Sequence, residues 1–423
     1  MSGGVVPAQG TDEARLRWRR RVLGALAWPF GGPAARPGDG TVRWPSGRRP
    51  RLLVVRPDHL GDLLLATPAL GLLRAALPEA EITALVGPWA RPVLDGRPEV
   101  DAVRTCAFPG FTRAPAASPL APYAKLLAEA ARLRARRYDA ALVLRVDHWW
   151  GAALVAYAGV PLRLGYAVPE SRPFLTHALP PDFAQHSVLE SWRVAAELLA
   201  LVGRPLPAGP PPAVRAEPPS AGQAMAAAWL AERGIGPETP LIAVQPGSGV
   251  ALKQWPPERW GEVADALAAR LGARVVVTGT DAERALVDAV VAATRRPALN
   301  AAGAFDWAGL AGLFARCALV LGVDSGALHL AAALGVPSVH LFGPTAPTRF
   351  GPWGGSARHQ VVRVDLPCSP CGNLIAPPCG EQVEPACMRA LLPAMAIRAG
   401  LEAVAGGAPA AVEAGCGRGG APA

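Results

Sequence analysis

From Arg51 to Gly343 the chain alternates short, continuously apolar runs with longer helical ones, and this rhythm limits its folds more than any other feature. RLLVVR (51–56), EITALVG (81–87), DAVRTCA (101–107) and YDAALVLR (138–145) read as strands. Their hydrophobicity is unbroken rather than alternating, as expected for strands of a parallel sheet covered on both faces. Helical patterns fall between and after them, at 63–78, 120–137 and 187–203. RPLPAGPPPAVRAEPPS (204–220) then stops both patterns, because each proline removes a backbone donor and fixes φ. Beyond it the rhythm restarts, with helices at 221–234, 257–272, 281–294, 307–317 and 324–336 and strands at 240–247, 273–279, 318–323 and 337–343. The expected class is α/β, with two doubly wound, Rossmann-like domains. The segments are a basic, Gly/Pro-rich extension (1–50), a first domain (51–203), a linker (204–220), a second domain (221–404) and a tail (405–423).

Composition removes several classes. Half the residues are hydrophobic and 18% are charged, which suits a globular protein rather than a disordered one. No run of 18 apolar residues suggests a membrane span. The start lacks an export leader, so the expected site is the cytoplasm. RLRWRRRVLGALAWPF (15–30) is basic, then apolar and aromatic, and fits either a peripheral contact with a membrane surface or a poorly ordered extension. The net charge of +9 is almost all arginine; Lys125 and Lys253 are the two lysines. No pattern singles out nucleic acid as a partner.

Three loops of the second domain carry the chemistry. VDSGALHL places Asp324, Ser325 and Gly326 at the turn onto a helix and His329 one turn in. Unpaired N–H groups and a positive dipole at such a terminus suit a diphosphate. VQPGSGVALKQWP (244–256) adds Ser248 between two glycines and the cation Lys253, and HLFGPTAP (340–347) turns at the same sheet edge. In the first domain RPDHLGDLLLATPAL (56–70) sets Asp58, Gly61 and Asp62 after the first strand. A carboxylate there suits a general base for a hydroxyl. Helix capping by Asp324, Ser325 or Asp62 is the structural alternative for each. No GxGxxG follows the first strand, which argues against a dehydrogenase.

These three motifs, in this order and spacing, resemble the family 9 glycosyltransferases, the heptosyltransferases of lipopolysaccharide core assembly, over about residues 50 to 400. The resemblance implies a GT-B fold, two Rossmann-like domains facing a central cleft, and inverting transfer of heptose or a related sugar from an ADP-heptose-like donor to a glycolipid or oligosaccharide acceptor. It implies Asp62 as base and Lys253 as the cation on the leaving diphosphate. Donor contacts fall to Ser248, Asp324, Ser325, Gly326 and His329, with Glu283 near the ribose. No acidic pair of DxD spacing accompanies the motifs, so no catalytic divalent ion is expected. Cys368, Cys371, Cys379 and Cys387 have spacings that admit a structural zinc, two disulfides, plain packing or a redox-labile cluster. Arg56, Arg91, Arg145 and Arg163 are the candidates for acceptor contacts. A non-catalytic nucleotide-sugar-binding or membrane-surface scaffold is the alternative to an enzyme.

Overall fold

The computed structural model describes residues 47–112, 118, 120–355, 357–381 and 383–406. The basic-aromatic segment 15–30 and the tail beyond 406 lie outside the described residues. Two compact units divide between Val214 and Arg215, within the proline-rich stretch.

The first unit is built on one six-stranded sheet in the order β3-β2-β1-β4-β5-β6. Its strands are β1 (Arg51–Arg56), β2 (Glu81–Val86), β3 (Ala102–Thr105), β4 (Ala140–Val143), β5 (Leu162–Tyr166) and β6 (His177–Leu179). All pairings are parallel. Its helices include α1 (Leu60–Ala76), α2 (Ala121–Arg134), α3 (Trp149–Tyr157) and α4 (Ser187–Leu201). β1 pairs on one side with β2 and on the other with β4. The chain therefore winds outward from β1 in one direction, returns, and winds outward in the other. Between β1 and β4 the connections diverge, and loops leaving the carboxyl ends of those two strands border a crevice.

The second unit repeats this plan in the order β12-β11-β10-β7-β8-β9, again parallel throughout. Its strands are β7 (Leu241–Gln245), β8 (Arg274–Gly279), β9 (Ala298–Ala302), β10 (Leu319–Val323), β11 (Ser338–Leu341) and β12 (His359–Val362). Its helices include α5 (Ser220–Ala231), α6 (Pro257–Leu271), α7 (Arg284–Ala293), α8 (Trp307–Ala315) and α9 (Gly326–Ala333), with a C-terminal helix at Pro393–Ala405. Here the divergence falls between β7 and β10, whose loops carry the glycine–lysine and Asp-Ser-Gly motifs. One core joins strand residues Val244, Val275 and Leu321 to Trp255 and Trp260, whose rings meet edge to face at 5.0 Å. On the other side α5 and α8 pack backbone to backbone. A Cβ at Gly222 would lie 2.0 Å from the Ala308 carbonyl oxygen, and one at Gly312 2.2 Å from that of Gly222.

Several elements differ from expectation. The helix expected at 281–294 is a 3-10 turn, Asp281–Glu283, followed by α7. Helix α5 begins at Ser220, and the last helix runs to Ala405, past the expected end of the second domain. Strands β5, β6, β9 and β12 and helix α3 add to the sequence-derived plan.

Candidate functional site

The second unit concentrates polar groups at the carboxyl edge between β7 and β10. Asp324 follows directly on β10 and is buried. Its Oδ2 accepts from Lys253 Nζ at 2.8 Å and from the Thr345 hydroxyl at 2.7 Å, and Lys253 Nζ also reaches its carbonyl oxygen at 3.3 Å. One carboxylate thus ties together the loops after β7, β10 and β11. Asp324 does not cap α9. Ser325 is its N-cap residue, but the side chain makes no cap hydrogen bond, and its buried hydroxyl has no partner among the described residues. The capping alternative therefore fails for both residues. A hydroxyl at a helix mouth with no use in the fold is a group to be explained by something that binds there. Gly326 opens α9 beside it.

His329 is buried on the first turn of α9, its Nε2 3.9 Å from Asp324 Oδ1. Burial pushes its pKa below the usual histidine value; Asp324 opposes that shift and Lys253 reinforces it. The imidazole is accordingly neutral at pH 7 and can offer one N–H and one acceptor nitrogen.

The loop after β7 is held by its motif. Trp255 of LKQWP is buried and anchors the strand of chain that carries Lys253. Ser248 closes a tight turn, donating to the Val250 carbonyl at 2.8 Å and accepting from the Val250 N–H at 3.2 Å. The turn after β8 approaches the same loop. Glu283 accepts from the Thr280 N–H at 2.9 Å and from its hydroxyl at 3.0 Å, a capping box. Its carboxylate lies so close to Gly247 that a Cβ there would be 2.2 Å from Oε1. Glu283, Gly247, Ser248, Lys253, Asp324, Ser325, Gly326 and His329 thus belong to three neighbouring strand ends of one unit.

In the first unit the edge between β1 and β4 carries Asp62. It sits in the first turn of α1, half-buried, with His59 as the N-cap residue. It is therefore not the cap that the alternative required. Four residues earlier, Asp58 is buried between two guanidinium groups: Arg56 Nε at 2.7 Å and Arg145 Nη1. Burial alone would raise its pKa, but Arg56 and Arg145 outweigh this and hold it below the usual carboxylate range. Arg145 also pairs with Asp147 at 2.6 Å and lies 5.1 Å above the Phe111 ring. The Trp89 indole donates to the Asp58 carbonyl at 3.0 Å. Next to Asp147, His148 packs edge-on against Phe108 and Phe111, and burial drives its pKa down to about 3. The pairing of Asp58 with Arg145 was absent from the sequence reading, since the two lie 87 positions apart.

The arginine candidates separate. Arg56 and Arg163 are interior residues. Arg56 donates to the Leu144 carbonyl, and Arg163 to those of Phe174 and Val160. Both guanidinium groups are spent on partners inside the fold. Arg91 is exposed and near Asp95, and Arg145 remains partly exposed at the edge that carries Asp62.

The four clustered cysteines are free thiols, and among the described residues no three His, Cys, Asp or Glu side chains gather as a metal site. The arrangement fits neither the structural zinc nor the two disulfides. Cys387 is instead a packing residue, its sulfur 3.1 Å from where a Gly343 Cβ would be. Among the described residues no helix is long and apolar enough to cross a membrane.

Comparison with known proteins decides the family. Residues 127–374, more than half of the chain, match the model of glycosyltransferase family 9 (heptosyltransferase). The chain belongs to that family. Like its other members, this family 9 glycosyltransferase is an enzyme of glycosyl transfer. It is 29% identical over 307 residues to lipopolysaccharide heptosyltransferase 3 of Escherichia coli, covering 70% of this chain and 84% of that one. Its fold matches a family 9 glycosyltransferase from Veillonella parvula with a TM-score of 0.72 at 24% identity, over 86% of this chain and 99% of that one. It also matches E. coli ADP-heptose lipopolysaccharide heptosyltransferase II with a TM-score of 0.65 at 22% identity, over 84% and 98% of the two chains. The two Rossmann-like units of this family 9 protein are those of the GT-B fold.

Proposed function

We propose that this protein transfers heptose or a closely related sugar, with inversion, from an ADP-heptose-like donor to a lipopolysaccharide-core or other lipid-linked glycan. The observation that carries this reading is the Lys253–Asp324–Thr345 cluster beside the unpartnered Ser325 hydroxyl at the mouth of α9. A diphosphate needs a cation and convergent donors. Lys253, the Ser325 hydroxyl, the turn at Ser248 and the first N–H groups of α9 are of that kind. Asp324 would serve by holding Lys253, since a carboxylate repels a phosphate. Glu283, fixed by Thr280 beside Gly247, suits the ribose hydroxyls, and neutral His329 a donor oxygen. The relatives' names support both the donor and the acceptor class.

In the reaction Asp62 takes the proton of the acceptor hydroxyl as its oxygen attacks the anomeric carbon. The bond from that carbon to the diphosphate oxygen breaks, and the charge left on the diphosphate is met by Lys253 and the α9 N–H groups. Fixed donors of this kind contribute on the order of a hundredfold each in rate.

The test is release of ADP from ADP-heptose in the presence of a core oligosaccharide acceptor. Asp62→Asn should bind donor as the native protein does and form no product. Binding of ADP-heptose without ADP release by the native protein would favour the scaffold reading, and transfer by Asp62→Asn would remove Asp62 as base.

A further inference from the structure

The first unit carries a surface that the transfer reaction does not use. Helix α2 turns a stripe of Leu120, Ala124, Leu127 and Ala131 outward, at helical spacings of four, three and four residues. Leu120 is 74% exposed and Leu127 55%. The opposite side of the helix, Leu126, Ala130 and Leu133, fills the core. Two exposed leucines about two turns apart on one outward stripe are not required by the fold.

Charge surrounds this stripe. From Ala121 to Arg137 the chain has five cations, Lys125, Arg132, Arg134, Arg136 and Arg137, against one carboxylate, Glu129. At the end of the helix Arg134 and Arg137 join Arg48 around a shallow concavity whose one acid, Asp139, is already bonded to Arg48 and to the Arg51 N–H. The other end of the helix lies near the β4 carboxyl edge: Trp150 donates to the Pro122 carbonyl, and Tyr123 and Trp149 rings are 6.2 Å apart. The stripe thus spans the height of the unit, from the edge that bears Asp62 to the opposite one.

We infer that α2 and the arginines at its end form a docking surface for an anionic lipid bilayer. An apolar stripe along a helix with cations beside it is the pattern of a helix lying in a membrane interface. The leucines enter the acyl boundary and the arginines meet lipid phosphates. A second copy of this chain would bring like charge against like, and nucleic acid would gain nothing from the leucines. The inference stands apart from the proposed reaction.

The experiment is flotation of the full chain with phosphatidylcholine vesicles, with and without phosphatidylglycerol, while ADP release with a water-soluble acceptor is measured on the same samples. Leu127→Asp combined with Arg136→Glu and Arg137→Glu alters exposed positions only. It should weaken partitioning to the anionic vesicles by roughly 25-fold or more, about fivefold for each lost cation, and leave transfer to the soluble acceptor unchanged. Arg136→Lys with Arg137→Lys should bind vesicles as the native chain does, which separates loss of charge from loss of fold. Native partitioning by the triple variant would overturn the inference, as would equal binding of the native chain to both vesicle types. Loss of oligonucleotide binding with intact vesicle binding would reassign the surface to nucleic acid. Absence of transfer in the native protein would count against the proposed function and not against this surface.

Discussion

The Lys253–Asp324 pair is the joint on which the donor site depends, and its coupling can be measured. Nζ and Oδ2 are 2.8 Å apart, and the two side chains are 17% and 6% exposed. At that distance, with an effective dielectric constant of about 20, the attraction is about 6 kcal/mol. Desolvation of two largely buried ions takes back a large part of this. Lys253→Met leaves the Asp324 carboxylate with the Thr345 hydroxyl as its remaining side-chain hydrogen-bond partner, and should cost about 3 kcal/mol of stability. Asp324→Asn strands the ammonium, which is nearer solvent, and should cost less. When both are replaced no buried charge is left uncompensated. The double variant should therefore be more stable than the two losses predict together, with a coupling energy of about 2–3 kcal/mol. Urea denaturation of the native protein, both single variants and the double variant at neutral pH closes the cycle. Losses that add within about 0.5 kcal/mol would refute the reasoning, because independent sites behave that way.

Three further outcomes follow from local geometry. His148 has a folded-state pKa of about 3, below the value of about 6.5 expected unfolded. The unfolded chain therefore takes up the proton first, and this residue's contribution, complete above about pH 6.5, is lost as pH falls toward 3, at about 1.4 kcal/mol per unit. Between about pH 6.5 and 5 the native protein should lose about 2 kcal/mol more than His148→Asn; equal slopes in urea denaturation would contradict this. Gly247→Ala should push Glu283 from its Thr280 bonds, costing about 1 kcal/mol in a thermal melt and weakening donor binding. Gly249→Ala, whose Cβ meets nothing within 4 Å, should change neither. Lys253→Ala should slow transfer on the order of a hundredfold in the ADP-release assay, and an unchanged rate would place Lys253 outside the site.

What the sequence made legible was whatever had a local cause. RLLVVR and ARVVVTG are strands buried on both faces, and their unbroken apolar runs show it. The Asp-Ser-Gly turn and the LKQWP loop could be placed at strand ends because strand and helix alternate around them. Helix α3, WWGAALVAY, escaped notice because seven of its nine residues are buried, so no amphipathic stripe marks it. Strands β6 and β12 are short and lie at sheet edges, and their polar residues hide the pattern. The partners of charged residues were illegible for a different reason. Asp324 could be read as a donor contact or as a helix cap, but its carboxylate answers a lysine 71 positions away. Arg56 and Arg163 were candidates for acceptor contacts, but the fold places carbonyl oxygens around them and draws them inside.

The close approach of α5 and α8 bears on the order in which the second unit assembles. Glycines at the contact let the two backbones touch, and each glycine lowers the intrinsic stability of its helix by about 1 kcal/mol. Helix α8 is nine residues long and includes two of them, so alone it is too short and too weak to persist in water. It gains its stability by docking on α5, some eighty residues earlier in the chain, and that docking must wait until the intervening strands have brought the two together. Amide protons of α8 should then exchange with solvent as a group, governed by one shared opening event, sooner than those of the central strands β7 and β10.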